Sequence, residues 1–68
     1  MDKSSLFEIR IMGQISDQWS DWFSGMEIRT SAKDKTTLRG YLSDQAELIG
    51  VLYRLQALNL TIVSVKKE

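Results

Sequence analysis

Residues 40–68, GYLSDQAELIGVLYRLQALNLTIVSVKKE, predict one amphipathic helix followed by one strand. Apolar residues recur there at steps of three and four, which is typical of the core-facing stripe of a helix: Leu48, Val51, Leu52, Leu55 and Leu58. Residues 60–65 are rich in β-branched side chains, which favours a strand. The last three residues, 66–68, are expected to end the chain in solvent.

Both ends of this helix carry boundary signals. Asp44 is an N-cap residue type, and Glu47 follows it at the spacing of a capping box. Asn59 tolerates the left-handed conformation that ends many helices, which would make Leu60 the C″ residue and Leu55 the C3 residue of a Schellman motif. The helix is therefore predicted to run between Asp44 and Asn59.

A second apolar stripe lies on the same helix, away from the first. It combines small residues with one aliphatic and one aromatic side chain: Ala46, Ile49, Gly50, Tyr53 and Ala57. Small residues allow another backbone to approach closely. The stripe either packs against the other helix of the same chain or contacts a second subunit, and it is therefore a candidate interface.

The first half of the chain predicts one strand, a short helix and a hairpin. Residues 6–12 alternate, with Phe7, Ile9 and Ile11 on the buried side. Residues 16–25 predict a short helix that Ser16 caps and a glycine closes, and its aromatic stripe is expected to join the core. Residues 26–42 predict a hairpin with a polar turn around Asp34, in a loop of more than two residues that leaves the register open.

These elements predict a single α+β domain over residues 1–68. The order is β-α-β-β-α-β, which is the ferredoxin-like arrangement with one four-stranded antiparallel sheet, a short first helix and a long second helix. A parallel crossover needs a dozen or more residues, and 13–25 barely suffices. The alternative is therefore a three-stranded meander followed by a helix and a strand.

The amino-acid composition limits the classes of site and partner that this chain can have. The chain has no cysteine and no histidine, so no disulfide is available and neither a zinc site nor a cofactor is expected. Lys plus Arg and Asp plus Glu number 9 each, which gives no general attraction to nucleic acid or to a membrane. No apolar run is long enough for a bilayer span or a signal peptide, so a cytoplasmic location is expected. A chain of this length buries a small core, which favours support from homodimer formation.

Two further groups of residues are candidate sites. Trp19 and Trp22 form a possible ligand pocket where the short helix meets the long one, although aromatic residues at helical spacing more often belong to the core. Five charged residues fall on outward positions of the sheet, where they are expected to pair across strands as a solvated face or to form a dimer or partner surface: Glu8, Arg10, Glu27, Arg29 and Arg39.

The segments WSDWFSGMEI (19–28) and LRGYLSDQAELIGVLYRLQALNLTIVSV (38–65) resemble a family of small bacterial proteins that share W-S-D-W-F-x-G and L-x-G-x-x-x-D-Q-A-x-L-x-G-x-L motifs. The resemblance implies no reaction, because the family has no assigned activity. Members often carry histidine where this chain has Ile49, and a glycine followed by Leu-Pro where it has Asn59 and Thr61. Chemistry through that histidine is therefore closed to this chain.

The sequence favours a non-enzymatic interaction or regulatory module that self-associates, with a further protein partner left open. It would use the open face of the sheet or the flank around Ile49 and Tyr53. The alternative is a small-molecule-binding domain with its pocket between the two helices. The residues offer no nucleophile with an adjacent base and no phosphate-cradling glycine loop.

Overall fold

The computed structural model describes residues 4–32 and 34–68, with the backbone alone at 31 and 32. The elements follow the chain as β1 (Ser5–Met12), a 3₁₀ helix (Asp17–Phe23), β2 (Glu27–Ala32), β3 (Lys35–Leu42), α1 (Gln45–Ala57) and β4 (Thr61–Lys67). The four strands form one sheet in the order β2-β3-β1-β4, and all neighbouring strands are antiparallel. The helices cover one face of this sheet, and we call the other face the outer face.

The core lies between the sheet and the helices. The predicted alternation of β1 is confirmed, because Ile9 and Ile11 are buried and Phe7 packs at the margin of the core. α1 contributes Val51 and Leu55 to the same core, as its periodicity predicts. The remaining buried apolar side chains come from the 3₁₀ helix and its flanks and from β2 and β3: Ile15, Phe23, Met26, Ile28, Leu38 and Leu42.

The ferredoxin-like β-α-β-β-α-β prediction is wrong. The segment predicted as the first helix is a 3₁₀ helix of 7 residues, which leaves α1 as the one α-helix among the described residues. The meander is wrong as well, because β1 lies between β3 and β4 and does not pair with β2. The number of strands and their antiparallel pairing were predicted correctly. The prediction failed at the connection between β1 and β2.

Local geometry sets the two ends of the 3₁₀ helix. Ser16 caps it by accepting a hydrogen bond from the Gln18 amide at 3.2 Å. Ser24 and Gly25 then turn the chain with φ values of 58° and 74°, and this reversal ends the helix after Phe23. A 3₁₀ helix rises about 2.0 Å per residue, against about 1.5 Å in an α-helix, so the segment is longer than an α-helix with the same number of residues.

The predicted ends of α1 are confirmed. The Asp44 carboxylate accepts from the Glu47 amide at 2.8 Å, and the Glu47 carboxylate accepts from the Ser43 amide at 2.7 Å. At the other end Asn59 has φ 65°. The Leu60 amide donates to the Leu55 carbonyl at 3.1 Å and the Asn59 amide donates to the Gln56 carbonyl at 2.8 Å. These two bonds are the paired signature of a Schellman motif.

Two details of the strands correct the sequence prediction. β2 and β3 are joined across positions 33 and 34, so the hairpin loop has two residues rather than more; Asp34 adopts φ 55° there, and Lys33 lies outside the described residues. β4 extends to Lys67, and Lys66 and Lys67 pair with β1 instead of ending the chain beyond the sheet. Backbone pairing holds these lysines in the sheet while their side chains remain exposed.

Candidate functional site

The solvent side of α1 carries the second apolar stripe, which we call the α1 stripe: Ala46, Ile49, Gly50, Tyr53 and Ala57. The structure leaves it uncovered, so the alternative that it packs against the other helix is wrong. Tyr53 is 73% exposed and Ile49 is 57% exposed. A Cβ atom built at Gly50 would have no neighbour within 4 Å, which places open space above the middle of the helix.

One flank of the α1 stripe is charged. Glu47 and Arg54 are seven positions apart, or about two helical turns, and therefore lie on the same flank. Glu47 is half-buried and caps the helix through one carboxylate oxygen, Oε1. Arg54 is exposed, and its Nη1 donates to the Trp22 carbonyl at 3.1 Å. Each side chain thus has a fixed position and further hydrogen-bonding atoms directed at the surroundings.

The outer face of the sheet is polar along its middle. Lys66, Glu8, Arg39 and Glu27 are cross-strand neighbours in a row that alternates in charge over all four strands. The five charged residues, all of them described by the structure, form no ion pair with one another across strands. Arg10 contacts Glu8 at 3.6 Å and Arg29 contacts Glu27 at 3.3 Å, each within its own strand. Arg39 contacts Glu68 at 3.3 Å, which joins β3 to the end of the chain.

The tryptophans of the predicted pocket are on the surface. Trp19 and Trp22 are 43% and 41% exposed, so the expectation that they belong to the core is wrong, while Phe23 is fully buried. The two indole rings meet edge to face with centroids 5.3 Å apart. The Arg54 guanidinium lies over the Trp22 ring at 5.9 Å, in the geometry of a cation–π contact.

The structure places these two residues beside two different hollows. Trp22 lines a shallow, open hollow of about 550 Å³ whose other lining residues, Gln18, Trp19 and Asp21, also belong to the 3₁₀ helix, so this hollow does not lie between the two helices. Trp19 also borders a hollow of about 230 Å³ that reaches Leu58 at the end of α1. Ligand pockets usually measure about 300–1,000 Å³, so the hollow that does lie between the two helices is small for one.

Three exposed apolar residues lie on the outer face, and none of them was predicted as a site residue. Tyr41 is 68% exposed at one end of the face, and Met12 and Val63 are 43% and 57% exposed at the other. Alternation along β1 and β3 was a usable signal for Met12 and Tyr41. No signal marked Val63, because its exposure depends on a register shift in β4 that only strand pairing reveals.

The described residues offer neither a cluster of metal ligands nor a helix that could cross a membrane. In the described part of the chain, no group of three or more acidic side chains is placed to hold a metal ion. Over the same residues, α1 and the 3₁₀ helix are too short and too polar to cross a membrane.

The chain was also compared with known proteins. No match was found among curated proteins or among solved structures. A family model, by contrast, matches residues 6–66, which extend from the second residue of β1 to the penultimate residue of β4. The chain therefore belongs to the family described as a domain of unknown function, DUF8691.

Proposed function

We propose that this protein is a non-enzymatic interaction module that self-associates through the α1 stripe. The observation that carries the proposal is the exposed apolar stripe on a helix whose opposite side is already buried in the core. Exposed apolar patches that polar residues border are typical of protein contact sites. The occupant we propose is a second copy of the same chain, related by a two-fold axis.

Charge complementarity supports a second copy. In an antiparallel α1 pair that crosses between Gly50 and Val51, Glu47 and Arg54 lie equally far from the crossing, about 5 Å along the helix axis. A two-fold axis perpendicular to both helices brings the same flank of each helix together. Glu47 of one copy then faces Arg54 of the other, and the pair occurs twice.

Shape complementarity supports the same register. In this pairing Tyr53 of one copy is level, along the helix axis, with the point midway between Ala46 and Gly50 of the other copy. A large side chain thereby faces two small ones, and Ile49 lies beside them. This is the knob-and-hole contact that closely packed helix pairs use.

The size of the stripe sets the expected strength. α1 has 13 residues, which corresponds to a helix of about 20 Å. Stable interfaces cover about 800 Å² on each partner, more than one face of so short a helix provides. We therefore expect a weak dimer that forms and dissociates with protein concentration, which suits a regulatory contact better than a permanent assembly.

We expect Tyr53→Glu to weaken dimer formation more than about a hundredfold, because each dimer loses two buried tyrosines at roughly 2 kcal/mol each. Sedimentation velocity over a concentration series measures the dissociation constant. Tyr41→Glu is the matched control, since Tyr41 is similarly exposed but lies on the outer face. A wild-type chain that stays monomeric at about 1 mM would contradict self-association. Loss in Tyr41→Glu alone would move the contact to the sheet.

The charge register has its own test. Glu47→Arg and Arg54→Glu each place like charges opposite one another in the dimer, so both single variants should dimerise more weakly than wild type. The double variant restores opposite charges across the two-fold axis and should recover at least about tenfold in affinity over either single variant. Glu47→Arg also loses the contact of Glu47 with Ser43, and Arg54→Glu loses the contact of Arg54 with Trp22. The double variant loses both contacts. Recovery in it therefore reports the contact between copies, and its failure would exclude this register.

A further inference from the structure

The outer face of the sheet ends in a hollow of about 530 Å³, on the opposite side of the molecule from the α1 stripe. Five outward side chains define it, and we call it the β1–β3 hollow: Arg10, Met12, Lys35, Thr37 and Val63. Its volume lies within the range of about 300–1,000 Å³ that ligand pockets usually occupy. None of the described residues that line it is acidic.

Two irregularities of the sheet border this end. The pairing of β1 with β4 shifts register between Arg10 and Ile11, which leaves Val63 as an extra residue on β4. The pairing of β2 with β3 shifts between Thr30 and Ala32. β-Bulges bend a strand and re-aim its side chains, and they occur often beside functional sites. Here the first bulge turns Val63 towards the hollow and beside Arg10.

Strand pairing brings two cations together in the hollow. Arg10 is directly opposite Thr37, and Lys35 is two residues further along β3. Diagonal neighbours of this kind are about 7–8 Å apart, within reach of long side chains. Glu8 contacts Arg10 at 3.6 Å from outside the hollow. Asp34 precedes Lys35 in the turn and does not line the hollow.

The two halves of the hollow differ in chemistry. Arg10, Lys35 and the Thr37 hydroxyl supply donors that match a carboxylate, which an arginine binds through paired hydrogen bonds. Met12 and Val63 supply exposed apolar surface on the other side. A ligand with one anionic group and a short aliphatic chain satisfies both halves, and its charge relieves the repulsion between the two cations.

We propose that the β1–β3 hollow is a binding site for a small organic monocarboxylate with an aliphatic chain. The site does not depend on self-association, because it is formed by one copy and lies away from the α1 stripe. Because the hollow is open to solvent on one side and its cations are exposed, binding is expected to be weak and sensitive to salt.

Titration of the ¹⁵N-labelled chain with sodium butyrate, followed by amide shifts at constant ionic strength, tests the proposal. We expect saturable shifts at Arg10, Met12, Lys35, Thr37 and Val63. Butan-1-ol lacks the charge and inorganic phosphate lacks the chain, so each should bind more weakly than butyrate. Equal binding of butanol would overturn the role of the cations, and equal binding of phosphate would overturn the role of Met12 and Val63.

Arg10→Gln should weaken butyrate binding about tenfold, because it removes a charged hydrogen-bonding group from the hollow. The matched control is Arg29→Gln, since Arg29 is also an exposed outer-face arginine opposite Thr37 but does not line the hollow. We expect the control to keep the wild-type affinity within about twofold. An equal loss in both variants would show general attraction to a basic surface and would overturn the site. Because Arg10 is exposed, its variant should keep the wild-type fold, and the amide spectrum checks this directly.

Discussion

Phe23→Ala should be among the most destabilising single substitutions in this protein, at about 3–5 kcal/mol, because it removes a fully buried aromatic ring from the core. Domains are stable by roughly 0.05–0.15 kcal/mol per residue, so a chain of this size has only about 3–10 kcal/mol in total. The substitution therefore removes between about a third and all of the free energy of unfolding. Urea unfolding followed by circular dichroism should show a midpoint at a much lower urea concentration, or no cooperative transition.

Two companion variants keep this prediction measurable. Phe23→Leu retains most of the side-chain volume. The protein should still fold, with its free energy of unfolding lower by roughly 1–1.5 kcal/mol. Trp22→Ala is the matched control, because Trp22 is adjacent in sequence and is 41% exposed. It loses edge-to-face contacts with Trp19 and Phe23 and the contact with Arg54, at about 1–2 kcal/mol in total, which is less than Phe23→Ala because part of the Trp22 ring is already in solvent. Equal losses for Trp22→Ala and Phe23→Ala would contradict the burial of Phe23 as the source of the effect.

The contrast between Trp22 and Phe23 shows where the sequence misled. Spacing at steps of three and four predicts a common stripe only if the backbone is an α-helix with about 100° per residue. In the 3₁₀ helix each residue turns about 120°, so residues three apart eclipse and residues four apart diverge. Trp19 and Trp22 therefore share one exposed side, while Phe23 points into the core.

The ends of α1 could be predicted because the signals are local. Asp44 and Glu47 form their cap within four residues, and Asn59 ends the helix through bonds to the last turn. No distant residue has to be placed correctly for either motif to form. The same holds for the alternation of β1, which needs only one buried face.

The connections and lengths of the strands were harder to predict from the sequence than the ends of α1. The sequence predicted a four-stranded antiparallel sheet, but the connection from β1 to β2 depended on how far residues 13–26 could reach. That reach is set by helix type, and the energy difference between 3₁₀ and α geometry in so short a segment depends on tertiary packing rather than on propensity. The length of β4 was also missed, because its last residues pair with β1 through their backbone regardless of their charged side chains.

Of the two candidate sites, one could be predicted from the sequence and the other could not. The α1 stripe followed from helical periodicity, and the structure added the fact that its solvent side is uncovered. The β1–β3 hollow could not be predicted, because Arg10, Lys35 and Val63 come from three strands and meet only through a register shift. Sites on one element can be read from spacing, whereas sites across strands require the pairing.

Gly13→Ala should be the second large loss, at roughly 2–4 kcal/mol, because two separate costs add. Gly13 has φ 118°, a backbone conformation that residues with a Cβ atom rarely adopt. A Cβ atom there would also lie 2.6 Å from Cδ2 of Leu60, which packs against the core. A shift of the backbone at Gly13 would also disturb the hydrogen bond from the Thr36 hydroxyl to the Gly13 carbonyl, which is 2.6 Å long.

The other glycines separate these two costs. Gly25→Ala keeps the unfavourable φ of 74° but meets no atom within 4 Å, so we expect a loss of only about 1 kcal/mol. Gly50→Ala has neither cost and lies within α1, so it should gain about 0.5–1 kcal/mol from helix propensity. Urea midpoints at one low protein concentration give all three values without a contribution from association. A loss in Gly13→Ala no larger than in Gly25→Ala would show that Leu60 moves freely and that φ alone sets the cost. A loss in Gly50→Ala would instead show that the middle of the α1 stripe is already packed against something in the folded chain.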